Sequence, residues 1–424
     1  MKIALIYPNR YAKYNRKERP IYRTPPLNLL TIAGLTPREH EIHIIDERYS
    51  KIDFNHRYDL VAITALTCNA PRAYEIATEF RKRGTKVVLG GMHPSFMTDE
   101  ALRFSDSVVV GEAEPVWQKV LEDASNNGLK PIYKGQLCDL STTPMPRWDL
   151  LPQRSRYVMF IQATRGCPNA CSFCSVSTFF GRKIRVKPVE KVVEEIKKFG
   201  KRFVIFVDDN IFANIKYAKQ LFKALTPLRI KWGGEASLNT LKNVELIKLA
   251  AKSGCRALFI GFETISKKAL QEINKAFNLV DYKKIINLLH KFGIAVIASM
   301  MFGMDADDKH VFQRTVNFLD RAQVDAAIFS ILTPLPGTRL FDKLQRENRI
   351  TTYDWSKYDA LHVVYKPKNM TPKELMDGLN YAYKAFYSPL RVLRRIIRSI
   401  KYCPFMIPVN IGYMIGVRRK LTPD

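Results

Sequence analysis

Thr164-Arg165-Gly166-Cys167-Pro168-Asn169-Ala170-Cys171-Ser172-Phe173-Cys174-Ser175 sets three cysteines inside eight residues, spaced C-x3-C-x2-C. Three thiolates on one short loop suit three corners of a cubane iron–sulfur cluster and leave the fourth iron without a protein ligand. An iron with an open position can bind and activate a small molecule, so the spacing points to chemistry rather than support. A structural zinc site wants four closed ligands in two pairs. The other cysteines, Cys68, Cys138, Cys255 and Cys403, are scattered singly with no second C-x2-C, and His93 and the six other histidines form no H-x3-H pair. An odd cysteine count in a chain of 424 residues argues against a disulfide framework. On the residues alone, zinc or redox-active thiols remain the alternatives to a cluster.

Outward from this loop the pattern is strand, helix, strand. A strand over 157–163 leads into the cysteines. Phe203–Val207, Ile230–Gly233, Ala257–Gly261, Ala295–Met301 and Ala326–Leu332 read as further strands. Helices such as Val189–Phe199, Val244–Ala251 and Tyr282–Phe292 separate them. Six strands alternating with helices predict an open, partial (β/α)6 version of the TIM barrel, whose functional residues lie at the carboxyl ends of the strands. Polar residues fall at those ends: Asp208, Asp209 and Asn210 after one strand, Glu235 and Ser237 after the next, Glu263 after the third. A carboxylate there can also simply cap the following helix. Pro334-Leu335-Pro336-Gly337-Thr338 closes the last strand.

Upstream, Lys2–Tyr7, Ile42–Ile45, Leu60–Thr64, Lys86–Leu89 and Ser107–Val110 read as short apolar strands, with a helix over Pro71–Arg83 that stops at Gly84. This is the pattern of a doubly wound parallel sheet, which binds ligands beyond its strand carboxyl ends. Gly90, Gly91 and Gly111-Glu112 sit at those ends, where glycine lets a bulky ligand approach the backbone. The stretch 140–153 holds three prolines and no periodicity, as an interdomain linker does. The expected organisation is α/β throughout: a Rossmann/flavodoxin-like domain over 1–137, a linker over 138–156, the partial barrel over 157–345 and a helical basic extension over 346–424.

The loop resembles that of the radical S-adenosylmethionine (SAM) superfamily, in the spacing, in the aromatic Phe173 before the last cysteine and in Arg165-Gly166 before the first. That resemblance implies a [4Fe-4S] cluster on Cys167, Cys171 and Cys174. Its open iron would chelate SAM, and one electron would cleave SAM to methionine and a 5′-deoxyadenosyl radical. It also implies that Asp208 and Asp209 meet the SAM amino group, that Glu235 and Ser237 contact methionine or ribose, that Glu263 contacts ribose and that the Phe173 backbone meets adenine. An electron donor such as flavodoxin or ferredoxin is implied as a partner. Gly233-Gly234-Glu235 spells the superfamily's Gly-Gly-Glu tripeptide, but on the third strand rather than the second.

The N-terminal half resembles the cobalamin-binding domain of one large subgroup, through Pro25-Pro26-Leu27-Asn28-Leu29-Leu30, Gly90-Gly91-Met92-His93-Pro94 and Gly111-Glu112-Ala113-Glu114. Gly90, Gly91, Gly111 and Glu112 are the implied cobalamin contacts. The D-x-H-x-x-G motif that supplies a cobalt ligand elsewhere is absent, and His93 reads as structural. The segment Trp355–Tyr387 resembles the extension of cobalamin-type enzymes acting on hopanoids, bacteriochlorophylls and other lipid-like molecules.

The net charge of +28 implies an anionic partner: nucleic acid, a membrane surface or an acidic substrate. Residues 366–424 carry 12 Lys and Arg against 3 Asp and Glu. Within Ser388–Lys401, Leu393, Ile396, Ile397 and Ile400 share one side and Arg391, Arg394, Arg395 and Arg398 much of the other. The apolar stretch Cys403–Val417 that follows is too short to span a bilayer. It is followed by Arg418-Arg419-Lys420, and the whole suits an anionic membrane interface or an ordinary helix packed on the barrel. No N-terminal signal pattern is present, and a reducing cytoplasm suits the thiols, so the expected location is cytoplasmic with peripheral contact to the inner face of a membrane. A transfer-RNA methylthiotransferase would need three N-terminal cysteines where only Cys68 and Cys138 stand, so nucleic acid is not expected. The expected function is cobalamin-dependent methylation of an unactivated carbon on a lipid-like or other hydrophobic small molecule. The alternatives are a non-methylating radical reaction without cobalamin and a membrane-associated cluster protein that senses or carries electrons.

Overall fold

The computed structural model describes residues 1–9, 24–151, 158–200, 202–275 and 280–418. The apolar run Lys2–Tyr7 forms β1, buried on both faces as a central parallel strand must be. Then follow α1 (Leu27–Leu35), β2 (Glu41–Asp46), β3 (Leu60–Thr64), α2 (Ala70–Lys82), β4 (Lys86–Gly90), α3 (Met92–Phe96), α4 (Thr98–Leu102), β5 (Ser107–Val110), α5 (Trp117–Ser125) and β6 (Ile132–Lys134). All pairings are parallel, in the order β2-β1-β3-β4-β5-β6. That is the flavodoxin-like order extended by one strand, β6, which is too short to carry a readable pattern.

The second sheet is built from β7 (Met159–Ile161), with β8 (Thr164–Arg165), α6 (Val176–Phe179), β9 (Arg185–Val186) and α7 (Val189–Phe199) before its second strand, β10 (Phe203–Phe206). It continues with α8 (Ile215–Leu225), β11 (Lys231–Ser237), α9 (Val244–Lys252), β12 (Cys255–Glu263), α10 (Lys267–Glu272), α11 (Val280–Lys291), β13 (Ala295–Phe302), α12 (Val311–Arg321) and β14 (Ala326–Ile331). Six of these strands pair in parallel in chain order, β7-β10-β11-β12-β13-β14. β11 is longer than the pattern suggested. Gly233, Gly234 and Glu235 lie inside it, because β12 pairs with it as far as Ser237 while β10 pairs only as far as Gly233.

An open barrel leaves two sheet edges and a floor to cover. α13 (Arg339–Arg346), α14 (Pro372–Phe386), α15 (Pro389–Ser399) and α16 (Met406–Arg418) form the C-terminal extension. Thr371 and Glu374 make a reciprocal capping box at the start of α14, with Pro372 in its first turn. On the β14 edge, the Tyr383 hydroxyl donates to Phe329 O (2.8 Å) and accepts from Phe329 N (3.2 Å). Tyr387 does the same at Ala327 (2.8 and 3.1 Å), so α14 satisfies the edge with side-chain hydroxyls. On the β7 side, Phe160 packs with Leu30, Trp148 and Leu151 from α1 and the connecting segment. The stretch read as a linker is therefore packed against the barrel as far as Leu151; Gln153 and the start of the strand read from 157 lie outside the described residues. Cys403, Met406 and Val409 close the floor against Ala295 and Ala326.

The tail corrects one expectation. On α15 Arg391, Arg395 and Arg398 turn toward the barrel, Arg394 stays exposed, and Leu393, Ile397 and Ile400 face outward. Arg395 is buried, donating through Nε to Asn410 Oδ1 (2.8 Å) and through Nη2 to Phe386 O (2.8 Å). Arg398 donates to Val324 O (3.0 Å), and Arg391 pairs with Asp320 (2.6 Å). Leu393, Ile397 and Ile400 stay more than half exposed. The barrel offers carbonyls and Asp320 on that side, which reward a guanidinium more than an alkyl group. Arg419 and Lys420 lie outside the described residues.

Candidate active site

The cysteine loop is closed at its base by the antiparallel pair β8–β9. Gly166 enters it at φ +97°, and a Cβ there would stand 2.6 Å from Lys183 O, so only glycine makes this turn. Cys167 N donates to Gly181 O (3.3 Å) and Ser172 N to Ile273 O (3.1 Å). From the other side Leu340 N donates to Ser172 O (2.9 Å), and Ala170 O accepts from Asn274 Nδ2 (3.1 Å) and from Arg339. The loop is thus gripped through its backbone, leaving the thiols to a ligand.

All three cysteines are half-buried and unbridged. Burial raises each thiol, Cys174 to about 11. Among the described residues only Glu112, Glu114 and Cys138 bring three ligand atoms within 4.8 Å of one another. The sulfurs of Cys167, Cys171 and Cys174 therefore do not all lie within 4.8 Å of one another, whereas Zn–S bonds of about 2.3 Å in a tetrahedron would hold them roughly 3.8 Å apart. That spread suits three corners of a cube, and the residues present fit a cluster. The Glu112 group is no metal site, because two arginines already fill it.

The strand-end carboxylates divide. Asp208 is fully buried, and its carboxylate accepts from Ala163 N (3.2 Å) and Thr164 N. Burial raises it to about 7 against those bonds. With no exposed surface it cannot meet the SAM amino group, and it instead fixes the turn that starts the cysteine loop. Asp209, beside it, is partly exposed, and its Oδ2 accepts from Gly166 N (3.3 Å). Burial raises it too, while Arg165 pulls it down. Glu235 is exposed into the barrel lumen, where desolvation by the surrounding barrel walls, then Asp209, Asp208 and Glu263, push it up to about 7. Glu263 ends β12 at φ +64° and is held by Lys275 Nζ (2.6 Å), which also donates to Gly261 O (2.8 Å). Ser237 Oγ accepts from buried Asn210 Nδ2 (2.8 Å), a tie between neighbouring strand ends. Phe173 is half-buried against the barrel core.

Gly90, Gly91 and Gly111 line a cavity of about 290 Å3 at the strand carboxyl ends of the N-terminal sheet, and Gln162, Arg165, Phe180 and Val207 of the barrel wall its other side. Gly91 (φ +98°) and Gly111 (φ +84°) also answer a local need, since a Cβ on Gly91 would stand 2.8 Å from Ala65 O and one on Gly111 2.5 Å from Gly135 O. Glu112 was expected to contact the corrin. It does line that cavity, and its buried carboxylate also joins the two halves: Arg185 (2.5 Å), Arg165 (3.2 Å) and Cys138 N (2.7 Å) all donate to it. Burial alone would raise it, yet the two arginines hold it below the usual carboxylate range. Arg165 also pairs with Glu114 (2.9 Å). His93 is fully buried, 3.3 Å from Glu100 and in edge contact with Trp355, and no histidine among the described residues lines the cavity.

The structure therefore brings the cysteines, Asp209, Glu235 and Glu263 to one end of the barrel, withdraws Asp208 and Ser237 into the framework, and leaves Glu112 at the N-terminal cavity, tied to two arginines. Sequence reasoning missed Lys275 and Arg185. Neither sits in a recognisable motif, although the arginine-rich return strand Arg185–Val186 could have suggested a partner for Glu112.

Family models agree with this division: a B12 binding domain over residues 21–121, the radical SAM superfamily over 161–319 and a domain of unknown function over 338–406. The bacteriochlorophyllide d C-12(1)-methyltransferase of Chlorobaculum tepidum is 34% identical over 94% of this chain and 90% of its own. The hopanoid C-2 methylase of Rhodopseudomonas palustris is 28% identical over 93% and 81%. Among solved structures, the cobalamin-dependent SAM radical enzyme OxsB, with aqua-cobalamin and SAM bound, superimposes with a TM-score of 0.70 over 100% of this chain and 73% of its own at 14% identity, a likeness of fold. The protein belongs to the cobalamin-binding radical SAM family, whose cofactors are a [4Fe-4S] cluster, SAM and cobalamin.

Proposed function

We propose that this enzyme is a C-methyltransferase of a hydrophobic small molecule and works at the surface of an anionic membrane. The observation that carries the reading is the shared wall of the two halves. Arg165, two residues before the first cluster cysteine, lines the N-terminal cavity and is paired there with Glu112 and Glu114. Two cofactors held on either side of that wall can act on one substrate. When bound, the cluster and SAM supply a 5′-deoxyadenosyl radical and cobalamin supplies a methyl group.

This chain's residues then have these roles. Cys167, Cys171 and Cys174 hold the cluster. Asp209 and Glu235 receive the cationic end of SAM, Glu263 its ribose, and the Phe173 backbone its adenine. Lys275 keeps Glu263 in place. Gly90, Gly91 and Gly111 floor the corrin cavity. A flavodoxin- or ferredoxin-type donor supplies electrons.

The substrate class follows from the relatives, a methyltransferase of bacteriochlorophyllide d and a methylase of hopanoids, which this chain matches over most of their length. Membrane contact is supported by α15. Leu390 (71% exposed) and Ile397 (60%) head an apolar stripe flanked by exposed Arg394 and Lys401. No helix of the described residues is long and apolar enough to cross a membrane, so the contact would be peripheral.

The test is anaerobic reconstitution with cobalamin, SAM and a reductant. Methyl transfer predicts S-adenosylhomocysteine and 5′-deoxyadenosine together; deoxyadenosine alone, with no corrin bound, would point to a non-methylating radical reaction. Flotation with phosphatidylglycerol vesicles should recover the protein, and Leu393→Asp/Ile397→Asp should abolish recovery.

A further inference from the structure

A second cavity, of about 310 Å3, lies in the barrel lumen. Its size reaches the lower end of the range for small-molecule sites. Ile205, Phe259, Ile297 and Met406 give it apolar walls. Only three charged side chains line it among the described residues: Glu235 toward the SAM end, and Lys231 and Arg256 at the opposite end, where β11 and β12 begin. Neither cation has a carboxylate partner among the described residues. Arg256 donates only to the backbone carbonyls of Ala251 and Cys255. Glu235 stands four positions after Lys231 on β11, about 13 Å of strand. Val207 lines both this cavity and the N-terminal one, so the two cavities adjoin there.

We propose that the barrel lumen binds an amphiphile tail-up, its anionic head held by Lys231 and Arg256 and its apolar chain laid along Ile205, Phe259 and Ile297 toward the reaction centre. The proposal rests on the methyltransferase reading and names the substrate class for that site: a linear carboxylate or phosphate with an apolar chain. Two cations without a carboxylate partner stand at one end of an apolar-walled lumen, Lys231 exposed and Arg256 held only by the carbonyls of Ala251 and Cys255. An anionic head satisfies both, and the chain buries against apolar walls. The carboxylate of Glu235 at the far end repels a ligand inserted head-up, so the polarity of the lumen sets the orientation.

The experiment is calorimetric titration of full-length, cluster-reconstituted protein with decanoate, decyl phosphate and decanol, each below its micelle concentration. Both anions should bind, and decanol about tenfold more weakly or less. Lys231→Met/Arg256→Met should cut anion affinity about tenfold and leave decanol unchanged. Ala257→Phe, which fills the lumen, should weaken all three ligands, while Leu393→Asp/Ile397→Asp on the outer face should change none. Equal binding of decanol and decanoate, anion binding indifferent to the double variant, or no binding at all would overturn the proposal. Preference for decanoate or for decyl phosphate identifies the head group. SAM cleavage measured on the same samples reports separately on the methyltransferase reading, because the lumen cations touch neither cofactor.

Discussion

Asp208 and Asp209 are neighbours in sequence with opposite work, and substitution separates them. Asp208 accepts two backbone N–H groups that are otherwise buried, those of Ala163 and Thr164. Each buried donor left unpaired costs about 1–3 kcal/mol, so Asp208→Ala should destabilise the barrel by about 2–6 kcal/mol. Asp208→Asn keeps one acceptor oxygen but turns an amide N–H toward a donor, so about half that loss is expected. The two donors hold the turn into Thr164-Arg165-Gly166, so Asp208→Ala should also lower cluster occupancy. Asp209→Asn touches only the Gly166 N–H and should stay within about 1 kcal/mol of wild type while weakening SAM binding. Urea unfolding, iron and sulfide content, and SAM titration of the reconstituted protein measure the three quantities. If Asp208→Asn weakened SAM binding as much as Asp209→Asn did and left unfolding unchanged, the assignment of Asp208 to the framework would be wrong.

Other consequences follow from the same geometry. With Glu235 raised to about 7, the carboxylate is protonated at lower pH and ionises as pH rises through 7; cationic SAM should therefore bind more tightly from pH 6 to pH 8, a step that Glu235→Gln should remove. Glu112→Ala strands Arg185 in a buried site and leaves Arg165 to Glu114 alone, a loss of about 3–5 kcal/mol readable in thermal unfolding, whereas Arg185→Lys keeps a charge and should cost less. Gly337 sits at φ +78° with a Cβ position overlapping the Phe96 ring of the N-terminal domain, so Gly337→Ala should loosen that contact and raise protease sensitivity between the halves. Cys174→Ala should abolish the cluster's visible absorbance and all SAM cleavage while the far-ultraviolet circular dichroism stays as in wild type.

Both sheets were legible because parallel strands buried on two faces are continuous apolar runs, and β1, β3 and β5 matched residue for residue. The short strand β6 and the full length of β11 were not legible. Three residues carry no period, and a strand with Gly233 and Gly234 is held by its neighbours rather than by its own propensity. The candidate cluster loop stood out because its three cysteines share one stretch of eight residues. The carboxylates were legible only as candidates. Chain position shows that a carboxylate follows a strand, but not whether it turns into the lumen, as Glu235 does, or back under the loop, as Asp208 does.

The chain's own order of residues thus determined the cysteine loop, the alternation of strand and helix and the basic extension, because each is a local pattern of side-chain type and spacing. Tertiary structure alone decided which charges meet. Glu112 and Arg185 stand 73 residues apart, and Glu263 finds Lys275 through the turn after α10. It also decided that Arg391, Arg395 and Arg398 of α15 face the barrel while Leu393, Ile397 and Ile400 face out. A charged group goes where its desolvation is repaid by a partner, and the partner's place is known only once the chain has folded.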